Sequence, residues 1–248
     1  MIIKVCGMRD PENIREVAVL GIDWIGLIFF AGSPRRIIDN GQSTIICRSL
    51  LIAHCQLPIV MKHDWKPGTM IYPLPAVMVS CGSEPSEYNI ITVAWVGTIC
   101  TNPPMCYISV RPERHSYPIL KKNMEFVINL TTRSLAYATD WCGVNSGKDH
   151  TKFEEMKLTP GKASVVNAPI IEECPLCIEC RVKEVMALGS HDMFIADVVN
   201  VQADDKYLDP ETGAFDMQRA DLLAYSHGKY YGLGDFVGKF GWSVRKKK

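Results

Sequence analysis

Apolar residues change their spacing twice along this chain. Residues 2–6 (IIKVC) are almost continuously apolar and β-branched and stop at Gly7, which predicts a short buried strand. Asp10-Pro11-Glu12 then has the form of a helix start, with Asp as N-cap, Pro at the first helical position and acid near the positive end. Ile14, Val17 and Leu20 follow on one helical face, Gly21 closes it, and Ile22 to Phe30 predicts a second strand. Strand, helix and strand joined by short loops form the unit of parallel α/β sheets.

After Met61 the helical spacing gives way to short apolar runs broken by turn residues. Strands are predicted over 76–81, 89–96, 105–110, 125–130, 179–185 and 193–201, with Gly97 as a bulge or close backbone approach. One short helix is expected at 117–122, turn clusters at Gly82-Ser83-Glu84-Pro85, and a hairpin-like region around 209–213. Many strands with few helices predict an antiparallel barrel or sandwich. The division that follows is a βαβ fragment over 1–40, a linker over 41–60, and a main domain over 61–248, long enough to carry its own core.

Composition narrows the function. Of 248 residues, 47% are hydrophobic and 22% charged, so the chain is globular rather than disordered. Lys+Arg 27 balances Asp+Glu 27, which removes any general argument for nucleic-acid or acidic-membrane binding. The apolar stretch 43–60 is interrupted by Arg48 and His54 and is read as non-spanning. Ten cysteines behind no leader-like segment are expected as thiols in a reducing cytoplasm. Cys174-x2-Cys177-x2-Cys180 has iron–sulfur spacing without the fourth cysteine, and is read as core thiols with no metal. Gly232, Gly234 and Gly238 lack dinucleotide-loop spacing, and Asp204, Asp205 and Asp209 lack the calcium-loop order.

The words of the first segment are specific. KVCGMRD, then GLIFF and GSPR over residues 2–35, resemble the first βαβ of phosphoribosylanthranilate isomerase, a TIM-barrel enzyme. The resemblance implies a general-base role for Cys6 and a substrate-holding role for Arg35. It stops after Arg35, and one βαβ of eight cannot assemble a site built from the loops of several strands. The head is therefore read as a remnant or fusion without isomerase activity.

The main domain has its own ordered set of motifs. N-x-x-T-x-A-W-x-G from Asn89, P-P at 103–104, S-V-R-P-x-R-x-S from Ser109, E-F-V-I-N from Glu125, S-G-x-D-x-x-K-F from Ser146 and H-D-M-F-I-A-D-V from His191 occur in sequence. A terminal Tyr-x-x-Leu-Gly completes the series. In that order they resemble the flavin reductase-like family, with its FMN-binding split β-barrel, antiparallel and Greek-key, mainly β with a few helices. The resemblance implies FMN as cofactor, NADH or NADPH as co-substrate, a homodimer with flavin near the subunit interface, and a possible redox-protein acceptor. A non-enzymatic FMN carrier is the alternative.

FMN has a dianionic phosphate, a polar chain and a flat apolar ring. Arg111, His115 and Ser116, near a predicted helix start, can supply donors to the phosphate, though alone they also read as a charged turn. Asn89, Ser109 and Val110 belong to the same motifs. Thr92, Ala94, Trp95 and Val96 are expected along the ring by resemblance, whereas alone Ala94 and Trp95 read as core. Ser146, Gly147 and Lys152 are expected on a polar loop closing over the flavin. His191 is the catalytic candidate, to meet nicotinamide or deliver a proton, or else an ordinary surface histidine. The cofactor carries the hydride chemistry, so no protein nucleophile is required.

Overall fold

A computed structural model describes residues 4–8, 24–27 and 63–244. The chain forms two compact units, Met1–Pro67 and Gly68–Lys248. In the first, β1 (Lys4–Met8) and β2 (Trp24–Leu27) pair in parallel, Lys4 opposite Trp24. Parallel neighbours need a crossover between them, consistent with the strand–helix–strand pattern. The expected helix, the 41–60 linker, Cys6's surroundings and Arg35 lie outside what is described.

The second unit opens with β3 (Leu74–Pro75), β4 (Val77–Cys81), β5 (Asn89–Val93), β6 (Val96–Cys100) and β7 (Met105–Val110). Helix α1 (Ser116–Asn123), β8 (Glu125–Leu130), α2 (Ala136–Val144) and the short α3 (Lys152–Glu155) follow. Next come β9 (Pro160–Gly161), β10 (Ile170–Ile171), the long β11 (Leu176–Ala187) and β12 (Asp192–Ala203), then β13 (Leu223–Ser226) and β14 (Lys229–Gly232).

Seven strands form one antiparallel sheet in the order β5-β4-β8-β11-β12-β7-β6. The two edge strands, β5 and β6, are neighbours in sequence, separated by Ala94 and Trp95 alone. A flat sheet of that width would hold its edges roughly 29 Å apart, whereas three residue steps reach at most about 11 Å. The sheet must therefore roll until its edges nearly meet, and a split barrel results. The Ser109 N–H donates to the Trp95 carbonyl at 2.8 Å and anchors the crossing. The single strand expected over 89–96 is thus two strands belonging to opposite edges. The irregularity in β6 falls between Thr98 and Cys100; Gly97 is instead a close approach, where a Cβ would lie 3.0 Å from the ring of its partner Tyr107.

Alternation along the strands fills both faces. Val77, Val79, Ile91, Val93, Phe126, Ile128 and Phe194 point into the barrel and form its core. Met78, Ile90 and Val127 point outward yet are equally buried, beneath α2, α3 and the segment 158–174. A strand covered on both sides carries an apolar run, which is why VMVSC is buried throughout.

Cys177 lies in this outer cluster and Cys180 in the barrel core, where its sulfur sits 3.5 Å from that of Cys106. Three residues apart on one strand, the two cysteines fall on opposite faces by simple alternation. The three thiols of the Cys174 series therefore do not converge. The region at 209–213 closes as a turn, with the Asp209 N–H donating to the Ala214 carbonyl and Leu208 bridging Phe215. Among the described residues no helix is long and apolar enough to cross a membrane.

One buried charge fastens the outer layer. Glu179 on β11 is fully buried and accepts from the backbone N–H groups of Ser164, Val165 and Val166 at 3.0, 2.6 and 3.1 Å. Asn200 and Gln202, on the paired β12, donate side-chain N–H at 2.7 and 2.8 Å. Burial pushes this carboxyl upward, but the hydrogen bonds outweigh it and hold the group at about 2.

Candidate functional site

The crossing at Ala94–Trp95 opens a depression where the barrel edges meet. A compartment of about 460 Å³ is lined there by Thr92, Ala94, Trp95, Ser109, Val110 and Arg111, with His191 at the start of β12. Trp95 and His191 lie with rings nearly parallel, 10° apart and 6.1 Å between centroids. Burial, with the Arg111 and Arg114 charges beside it, lowers the His191 pKa against an opposing pull from Glu113. Ser190 Oγ lies 2.9 Å from His191 Nδ1.

A narrower compartment of about 330 Å³ adjoins it and shares the walls Ile91, Arg114 and Gly143. Here α1 presents its first turn: His115 precedes the helix and Ser116 begins it. Ser116 is buried and accepts from the Asn89 amide at 2.7 Å, fixing the helix start to β5. Ser146 and Gly147 complete the wall. A Cβ at Gly147 would lie 2.2 Å from Asn89 Oδ1, so only glycine lets the loop approach this closely. Likewise, a Cβ at Gly143 would reach 3.0 Å from the Thr92 Cβ, which brings α2 against β5.

The two compartments contain all but one of the side chains expected from sequence. Val96 is the exception: it is buried in the barrel core, because β6 turns it inward. Lys152 is at the site but not on a mobile loop. It opens α3, is buried, and donates its ammonium to the carbonyls of Ile90 and Cys142, both at 2.7 Å. Burial lowers its pKa to about 8 against the thiols of Cys142 and Cys81.

Arg111 stands apart from the helix start. It lines the wide compartment and pairs with Glu113 at 3.1 Å, whereas the narrow compartment receives Arg114. The motif S-V-R-P-x-R holds both arginines, and only the turn between β7 and α1 decides which reaches the helix start. Arg114 forms no ion pair among the described residues.

Sequence reasoning also missed Asp140, Tyr225 and Tyr230, which line the wide compartment from α2, β13 and β14. Burial and the neighbouring Asp140 raise Tyr230 to about 12, so its hydroxyl stays protonated. The terminal Tyr-x-x-Leu-Gly motif, which begins at Tyr230, was the available signal.

The pair of compartments has the chemistry of a nucleotide with a flat ring. The wide one is walled by aromatic and small apolar side chains, and the narrow one offers a guanidinium, a hydroxyl and the first turn of a helix.

The model of the flavin reductase like domain matches residues 69–234, about two thirds of the chain. The flavoredoxin of Desulfovibrio vulgaris (Miyazaki F) is 28% identical with a TM-score of 0.69, over 75% of this chain and 100% of that one. An FMN-binding protein from Thermus thermophilus, solved with bound 1-cyclohex-2-enone, shares the fold at 22% identity and TM-score 0.61, over 72% of this chain and 99% of that one. The N-terminal segment differs: it is 71% identical over 35 residues to N-(5'-phosphoribosyl)anthranilate isomerase of Parabacteroides distasonis, which is 14% of this chain and 16% of that enzyme.

Proposed function

The chain belongs to the flavin reductase-like family, and from that premise we propose that it is an FMN-binding oxidoreductase using NADH or NADPH. Flavin-related redox chemistry follows from the family and its solved relatives. The observation that carries the finer reading is the junction of an aromatic slot with a helix-start pocket of phosphate-type donors. Bound FMN supplies the hydride-accepting ring. Arg114, His115 and Ser116 hold the phosphate, while Thr92, Ala94 and Trp95 flank the ring. Lys152 acts from beneath by tying β5 to α2, so its ammonium positions the walls that carry Asn89 and Gly143. His191, stacked near Trp95 at the start of β12, is the group we assign to meet the nicotinamide.

A homodimer belongs to the same reading. Val144, on the rim of the wide compartment, is 72% exposed and Tyr137 on the same helix 76%, an apolar surface that a second copy would cover. Seven free cysteines among the described residues support a reducing compartment, the cytoplasm. The likeness to a flavoredoxin favours one second reading, an FMN electron carrier that meets a redox-protein acceptor without turning over nicotinamide.

Absorbance of the purified protein, followed by anaerobic addition of NADH and NADPH, tests both. Bleaching of the flavin bands by either nucleotide at a catalytic rate is expected. A yellow protein indifferent to both establishes the carrier, and a protein that takes up no added FMN removes the flavin site.

A further inference from the structure

Beyond β14 the chain carries an apolar arm that the described residues leave uncovered. Leu233, Phe236, Val237, Phe240, Trp242 and Val244 are each at least 47% exposed, and Phe240 is wholly bare. Half of the positions in 233–244 are thus large apolar side chains facing water, a contiguous run of the kind that marks an interaction surface.

The arm nevertheless has a set shape. Gly241 is left-handed at φ 80°, the Trp242 N–H donates to the Lys239 carbonyl at 3.0 Å, and the Val244 N–H donates to that of Gly241 at 3.3 Å. A Cβ at Gly238 would lie 3.0 Å from the Trp242 ring, so the indole rests on bare backbone there. Both hydrogen bonds close within the arm itself.

A second apolar face stands at the same mouth. Val144 on α2 lines the wide compartment together with Tyr230, and the arm begins three residues after Tyr230. Within one chain the two surfaces do not cover each other, since Tyr137 and Val144 stay as exposed as the arm does. We propose that they meet between two copies, the arm of each chain packing on α2 of the other and closing its wide compartment. This deepens the dimer reading above, and its consequence for flavin rests on the flavin reading of that compartment.

Both halves of the contact belong to one chain, which is the condition for a two-fold pair in which each arm finds the face the other copy exposes. The area suffices as well. A standard interface takes roughly 800 Å² from each partner. The arm's three aromatic side chains, worth about 150–250 Å² apiece when covered, reach that order together with its three aliphatic ones.

The test is sedimentation velocity of the full chain over a dilution series, with Phe240→Ser and Trp242→Ser beside it. Both positions are exposed, so the barrel core is untouched. Each substitution occurs twice in a two-fold pair, and the dimer dissociation constant should rise roughly a hundredfold or more. A benzoylphenyl photo-crosslinker carried at position 240 should join two chains through the peptide 136–144. Phe240→Ser should also weaken FMN and riboflavin alike, by roughly tenfold, because it is the ring end that opens.

A full chain that is monomeric at micromolar concentration, a dimer indifferent to both variants, or a crosslink confined to one chain overturns the proposal. So does arm-dependent binding of a monomer to vesicles of anionic phospholipid, which would give the arm and the basic residues 245–248 to a membrane. Unchanged flavin affinity in a dissociated variant removes the closure. An arm-dependent dimer that takes up no flavin upholds the contact between copies and removes the flavin reading instead.

Discussion

Replacing Glu179 with Gln should loosen the outer layer of the barrel, by an amount that depends on pH. The native carboxylate accepts five N–H bonds while fully buried. Glutamine keeps the shape but turns one acceptor oxygen into a donor aimed at N–H groups, leaving buried donors without partners at a cost of about 2–5 kcal/mol. The pKa gives an independent figure. A folded value of about 2 against an ordinary 4.5 corresponds to about 3 kcal/mol of stability.

Because the folded pKa is depressed, that stability is present above the unfolded pKa and is lost as pH falls towards about 2. Near pH 3, about 2 of those roughly 3 kcal/mol should already be gone. Urea unfolding of wild type and Glu179→Gln, followed by tryptophan fluorescence at pH 7 and pH 3, measures the difference directly. Other carboxylates titrate in both proteins and cancel. The gap between the two proteins should be widest at pH 7 and shrink by about 2 kcal/mol at pH 3. A variant within about 0.5 kcal/mol of wild type at pH 7, or a gap that does not change with pH, refutes the reasoning.

Further outcomes are expected at the site and in the core. Arg114→Ala should weaken FMN by roughly ten- to a hundredfold, the worth of one charge-assisted contact, while riboflavin changes little; calorimetric titration of both flavins decides, and equal losses would move Arg114 off the phosphate. Arg111→Ala, measured alongside, should cost FMN less than Arg114→Ala does, because Arg111 lines the other compartment and is held by Glu113. Gly147→Ala forces a Cβ into Asn89 and should lower flavin affinity with the far-ultraviolet circular dichroism unchanged; unaltered affinity would show that the loop yields without consequence. Anaerobically purified protein should contain neither iron nor acid-labile sulfide, and stoichiometric iron lost in Cys177→Ser would contradict the split of Cys177 and Cys180 between two faces.

Much of the strand pattern was legible because β-branched and aromatic residues alternate between turn signals. Residues 105–110 and 125–130 carry strands with the expected bounds, and α1 extends one residue past its expected span at either end. What failed did so for tertiary reasons. Ile90 to Val96 is apolar but for Thr92, and nothing local marks Ala94–Trp95 as the crossing between two sheet edges. Helix α2 was not anticipated: its sequence, AYATDWCGV, has no side-chain cap and no clean polar face, since its outward residues include Tyr137 and Val144. At the site, the ordered motifs named segments that line two adjoining compartments. They did not distinguish Arg111 from Arg114, or reveal that Val96 turns inward, because both depend on a turn and a strand register rather than on residue type. Asp140 and Tyr225 lie far apart in sequence and meet the wide compartment only once the barrel has closed.

That closure gives the two-residue crossing a role in the protein's lifetime. Ala94 and Trp95 join the sheet's edges and also wall the ring compartment, so an unrolled sheet has no such compartment. Anything seated there binds the closed form alone and acts as a clasp on the seam. By mass action, a ligand at a hundred times its dissociation constant adds about 2.7 kcal/mol against opening. The flavin supply of the cell would then set how long each barrel survives proteolysis, whatever its turnover.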